Sequence, residues 1–213
     1  MKTFEQWDID EVERTFGVRR VIEHYPTLVA WLSVQHSPSA MAQELLQTLQ
    51  KELVEGVEEW NEDELKFKFI APLISLIGYT TEYFRAFTQR PLRAMVNGIE
   101  LGGRVDFVVA TGKAKPMQPF FFLHEYKKEF GSESNPRAQL LVEMLAAREL
   151  NAIEYPLYGC YVVGRNWFFL VLEGNIYAVS KQFAASDEDD IVRIFSILSE
   201  AKVIITRLAE QFT

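Results

Sequence analysis

With 213 residues, 48% of them hydrophobic and 24% charged, the chain has an ordinary globular composition and is long enough for one sizeable core, alone or with a helical appendage. Its formal charge of −8 and pI of about 5.0 count against a broad nucleic-acid-binding surface, because phosphate affinity rests on Lys and Arg, although a single groove needs only local positive charge. The lone cysteine, Cys160, excludes an internal disulfide framework and suits a reducing cytoplasm; residues 1–7 carry no leader pattern, and no apolar run nears the roughly 20 residues that span a bilayer.

Apolar residues at helical spacing predict a helix over 4–16, stopped by Gly17, a second over 25–34 with Trp31 buried, and a third over about 41–57 after Ser37-Pro38-Ser39. Residues 1–60 therefore read as a helical N-terminal region with no legible chemistry, packed on a domain of 61–213. His24 and His36 are isolated there and read as surface or cap residues. At 61–76 (NEDELKFKFIAPLISL) Asn61 is a good N-cap and acids crowd the first turn. Leu65, Phe69, Ile70, Leu73, Leu76 and Ile77 form one apolar stripe, and Pro72 inside it predicts a kink or break. Glu62 lies on the stripe's side and Glu64 roughly opposite, so Glu62 is an acid at the buried edge of a helix, where it needs compensation.

Extended segments follow around 82–87 and 93–96, with Asn97-Gly98 as a hairpin signal. Next come two apolar strands interrupted by charge, 103–110 (GRVDFVVA) and 120–129 (FFFLHEYKKE), separated by the turn-rich 111–119. If Ala110 pairs near Phe120, Asp106 falls opposite Glu125 or one residue away. Lys127 shares the face of Glu125, while His124 points to the other face and reads as packing. Directly opposed carboxylates sit about 5 Å apart at Cβ and repel. A cation between them or a proton on one relieves this, and a hard divalent ion with oxygen ligands is the simpler explanation. Beyond a loop at 131–136, residues 137–150 predict a strong helix with Gln139 and Glu143 one turn apart. Strands at 157–163, 167–173 and 176–179 lead to a terminal helix over 187–208, with a break near Val203.

Asp106 followed by Glu125-Tyr126-Lys127 resembles the signature of the PD-(D/E)XK nuclease superfamily, although Val105 stands where that signature has proline. The stretches NEDELKFKFIAPLISLIGY, GRVDFVV, HEYKKE and QLLVEMLAA are similar to the nuclease domain at the start of type I restriction R subunits, and to small stand-alone bacterial proteins related to it. The resemblance covers 61–172, about half of the chain. It implies an α/β (mixed α+β) restriction-endonuclease-like core, a central mixed sheet flanked by helices, with the helical N-terminal region beside it. It further implies metal-dependent hydrolysis of phosphodiester bonds, DNA ahead of RNA, in restriction, defence or repair, by a cytoplasmic protein acting alone, as a homodimer or in a larger complex.

In that reading Asp106, Glu125 and the backbone carbonyl of Tyr126 hold Mg²⁺ or Mn²⁺, and Lys127 orients the attacking water or screens developing charge. An acid from the helix before the first core strand completes the shell, Glu62 ahead of Glu64. Gln139 matches the Gln of a Gln-X-X-X-Tyr helix motif found in some branches, with Glu143 replacing the tyrosine. Arg104, Lys128 and Arg137 are the candidates for backbone-phosphate contacts. The alternative is a catalytically silent module that keeps the fold and binds nucleic acid or a protein partner; the acidic pI and the missing tyrosine favour it. A Gly-rich phosphate loop and a Gly-X-Ser-X-Gly elbow are both absent from the sequence, and Cys160 has no evident histidine partner.

Overall fold

The computed structural model describes residues 2–131, 134–151 and 154–211. In chain order, β1 (Lys2–Thr3) enters a 3-10 turn (Phe4–Gln6), followed by α1 (Ile9–Phe16), β2 (Arg19–Val21), α2 (Pro26–Ser33) and α3 (Ala40–Gly56). Then come α4 (Glu62–Leu65), a π-helical turn (Lys66–Ile70), α5 (Ala71–Ile77), β3 (Arg85–Val96), β4 (Ile99–Thr111), β5 (Met117–Lys127) and α6 (Pro136–Asn151). The chain closes with β6 (Leu157–Val163), β7 (Asn166–Glu173), β8 (Ile176–Val179), β9 (Phe183–Ala184) and α7 (Glu188–Glu210).

All nine strands of this set form one mixed sheet in the order β1-β4-β5-β6-β7-β8-β2, with β3 on β4 and β9 on β7. One face is covered by α2, α3, α5 and α7, whose apolar residues meet Phe107, Phe122, Tyr126 and Phe169. The other face is covered by α1 and α6 over Leu123, Val108 and Leu170. Trp31 anchors α2: it is 1% exposed, meets Phe122, Tyr158 and Phe169 edge-on, and donates from Nε1 to the Ile197 carbonyl at 2.9 Å. The α/β architecture, a mixed sheet flanked by helices, is consistent with the restriction-endonuclease-like fold.

Several boundaries differ from the sequence reading, each for a local reason. The expected helix over 4–16 is split, because the Asp8 side chain accepts from the Glu11 amide and starts α1 afresh. Gly17 ends α1 at φ +65°, as read. Within the first 60 residues β1 and β2 are strands, pairing in parallel with β4 and β8 at separate places in the sheet. The two extended segments before Asn97 are one strand; its Pro91 is tolerated because β3 has a ladder on one side only, with β4. Pro72, which lacks an N–H to give the preceding turn, follows a π-turn in which the Ala71 amide reaches back to the Lys66 carbonyl. The expected break near Val203 does not occur, and α7 runs unbroken for 23 residues. The expected loop at 131–136 includes Ser132 and Glu133, which lie outside the described residues.

Candidate active site

The β4–β5 ladder pairs Ala110 with Phe120 and Phe107 with His124, with bulges at its far end. Continued by one step, this register brings Asp106 against Glu125. The Tyr126 amide fixes the approach by donating to Asp106 Oδ2 at 3.0 Å. Alternation along β5 then separates two chemistries. Glu125 and Lys127 face the α6 side and form an ion pair there. His124 and Tyr126 face the other layer, where the Tyr126 hydroxyl and His124 Nδ1 are 2.7 Å apart among Phe107 and Phe122. His124 is thus a packing residue, fully buried and held neutral, with burial pushing its pKa down to about 3.

A cleft of about 530 Å³ gathers Glu62, Lys66, Asp106, Glu125, Lys127 and Gln139, with Arg104 and Gln89 at its wall. Gly103 forms part of that wall because the Phe4 ring lies where a β-carbon would stand, 2.6 Å away. Of the candidates for phosphate contact, Arg104 lines the cleft and donates to the Gln89 carbonyl at 2.9 Å. Lys128 and Arg137 are not among its lining residues. Lys128 is exposed just past the end of β5, and Arg137 is near Tyr161 and Tyr177. Glu64 is directed to the helix surface, closing a capping box with Asn61 and pairing with Lys68 at 3.1 Å.

Burial raises the Glu125 carboxyl to about 8, helped by repulsion from Asp106 and opposed by Lys127. Burial by itself would lower Lys127, but Glu125, Glu62 and Asp106 together outweigh it and hold the ammonium above its ordinary value. Beneath this pair Gln139 donates to Glu143 at 3.3 Å. Glu143 is fully buried, and its carboxyl is raised well above the usual range by burial and by the charges of Glu125 and Asp106. The tyrosine position of the helix motif is therefore held by an acid that belongs to the same electrostatic cluster.

Three groups escaped the sequence reading. Lys66 donates to Glu62 at 2.6 Å and to Asp106 Oδ1 at 2.8 Å, bridging the two acids. Gln89, held at φ +52° in mid-strand, donates to the same Oδ1 at 2.6 Å. Glu143 was legible as a motif departure but not as a member of the site. The spacing of Glu62 and Lys66, one helical turn, is a signal for the first half of the bridge; nothing in the sequence points to Gln89.

Metal affinity can be tested against these atoms. Among the described residues no three His, Cys, Asp or Glu side chains converge as a ready-made cage. Glu62 and Asp106 close on Lys66 instead. Glu125 Oε2, Glu143 Oε2 and Gln139 Oε1 are nevertheless buried without a hydrogen-bond partner among the described residues, an accumulation of bare acceptor oxygens that needs protons or a cation. With the Asp106 carboxylate alongside, the donor set is all oxygen and fits a hard ion of the Mg²⁺ or Mn²⁺ kind.

An α/β protein with a mixed sheet, helices on both faces and an acid-lysine cleft at one edge is the class these features define. No family model and no curated protein matches the chain. Among solved structures, a cryo-EM structure of a DrdV–DNA complex is similar at a TM-score of 0.38 and 14% identity, over 72% of this chain. The matched region spans 14% of the length of that chain.

Proposed function

We propose that the chain is a metal-dependent nuclease that hydrolyses phosphodiester bonds in nucleic acid, DNA ahead of RNA, in a restriction, defence or repair setting. The observation that carries this reading is the convergence of Asp106, Glu125 and Lys127 in one cleft, with Glu125 Oε2 buried and bare. Asp106, Glu125 and the Tyr126 carbonyl are the proposed ligands of one Mg²⁺ or Mn²⁺. When bound, such an ion acidifies water and polarises a phosphoryl oxygen. Asp106 is preset for its part by the Tyr126 amide, so little reorganisation is needed. Lys127 keeps its proton at neutral pH and offers an ammonium to a non-bridging phosphate oxygen or to the attacking water. Gln139 orients Glu143 beneath the pair. Arg104, at the wall, takes the neighbouring phosphate, with Lys128 and Arg137 proposed for more distant ones. Glu62, joined to Lys66, acts on the site through that lysine.

The proposed organisation is a helical region, 1–60, packed on a nuclease-like unit, 61–213, working alone, as a homodimer or in a larger assembly. The buried thiol of Cys160 suits a reducing cytoplasm. A second reading is a silent nucleic-acid- or protein-binding module. It is favoured by Lys66, whose ammonium already pairs with two of the acids. Cleavage of single- and double-stranded DNA and RNA with Mg²⁺, with Mn²⁺ and with chelator decides between them. Asp106→Ala and Lys127→Ala are each expected to lower the rate by about 10²-fold or more. Activity indifferent to both substitutions eliminates the nuclease reading, and nucleic-acid binding without cleavage in the wild type selects the module.

A further inference from the structure

We propose that the Lys66 ammonium stands in for a second cation, so that the cleft takes one divalent ion per chain and not two. The inference rests on the metal-dependent reading above. Its ground is the acceptor capacity of the two central acids. Each carboxylate oxygen has two lone-pair sites. Asp106 Oδ1 spends both, on Lys66 at 2.8 Å and on Gln89 at 2.6 Å. Asp106 Oδ2 spends one on the Tyr126 amide, leaving one. Glu125 Oε1 receives Lys127, and Oε2 has no partner among the described residues. Asp106 thus keeps one unspent site, on Oδ2, and Glu125 keeps three, one on Oε1 and two on Oε2, so Asp106 can serve one ion but cannot bridge two.

A second ion bridged to the first through Asp106 would need the Asp106 Oδ1 atom, with Glu62 as the nearest other acid on that side. Two-ion sites hold their metals about 3.5–4 Å apart, bridged by shared carboxylates. Lys66 fills that role from the side. Its Nζ sits between an acid on the helix and an acid on the strand, 40 residues away in sequence. The π-turn that begins at Lys66 fixes its direction, and its side chain is only 21% exposed. A divalent ion next to that ammonium would meet direct repulsion. Glu62 accordingly becomes the tether of Lys66, a positioning residue and not a metal ligand.

The experiment is a Mn²⁺ titration of the intact chain, followed by calorimetry and by the electron paramagnetic resonance of free Mn²⁺. Wild type is expected to bind one ion per chain, and Asp106→Asn none. Lys66→Met, with its charge removed and its stem kept, is expected to bind two, and its cleavage rate to rise cooperatively with Mg²⁺ where wild type saturates hyperbolically. Lys66→Arg keeps the charge and should bind one. Lys66→Gln replaces the Met variant should that one not fold. Two ions in wild type, or an unchanged single ion in the uncharged variants, overturns the inference while leaving the nuclease reading intact. An absence of ion binding in every variant, wild type included, overturns the nuclease reading and this inference together.

Discussion

His124 and Glu125 are neighbours whose side chains meet opposite faces of β5, and burial drives their proton affinities in opposite directions. For His124 the charged form is the protonated one, and desolvation lowers its pKa from 6.5 to about 3. The unfolded chain therefore binds a proton first as the pH falls. The stability linked to this residue is complete above pH 6.5 and is lost as pH drops through 6.5 towards 3. For Glu125 the charged form is the deprotonated one and its pKa is raised from 4.5 to about 8, so its contribution is complete below 4.5 and is lost as pH rises from there through 8. His124→Phe, in an aromatic surround, should remove the first dependence. Urea denaturation of wild type and variant between pH 7 and 4 is expected to show the wild type losing about 1 kcal/mol more per pH unit below 6.5. Parallel pH profiles would show that His124 takes up a proton in the fold as readily as in the unfolded chain.

At the scale of elements, the β3–β4 hairpin turns on Asn97 and Gly98, with φ of +49° and +78°. Positive φ at both central residues is the type I′ geometry that matches strand twist, which is why Asn-Gly announced the turn from sequence. A β-carbon at Gly98 would meet nothing within 4 Å. The cost of Gly98→Ala is thus conformational alone, expected at about 1 kcal/mol, read as a lower urea midpoint with unchanged slope. The helix entering the site was legible in parts. Asn61 is the expected N-cap, to which Glu64 adds the second half of a capping box, and Pro72 announced a disturbance. That the disturbance would be a π-turn, and would swing Lys66 onto Asp106, depends on how the helix packs against β4 and not on its own periodicity. Likewise β1 and β2, only 2 and 3 residues long, carry too little pattern to be read as strands and exist because β4 and β8 offer free ladder positions.

For the molecule as a whole, the net charge of −8 must be reconciled with the polyanionic substrate proposed for it. The cleft gathers Lys66, Lys127 and Arg104 among its acids, while the run Glu188, Asp189 and Asp190 lies at the first turn of α7. Nucleic-acid affinity is therefore expected to rest on few phosphate contacts. If Arg104, Lys128 and Arg137 supply them, log K against log salt should have a slope of about −3, measured with catalysis blocked by Asp106→Asn. A slope near zero would remove those three residues from the interface; a slope several times steeper would require a wider basic surface than these residues provide.

The amino-acid sequence by itself determined what acts within a turn or a strand: the caps at Asn61 and Gly17, the Asn97-Gly98 hairpin, the order of helices and strands from 61 onward, and the alternation that puts Glu125 with Lys127 and His124 against the core. Only the tertiary structure decided what joins segments distant in number. It set Lys66 between Glu62 and Asp106, Gln89 on the same carboxylate, and Glu143 beneath them. Periodicity and capping are short-range and leave their mark on neighbouring residues. An ion pair 40 residues apart depends instead on which helix face packs on which strand, and that is resolved only when the whole core closes.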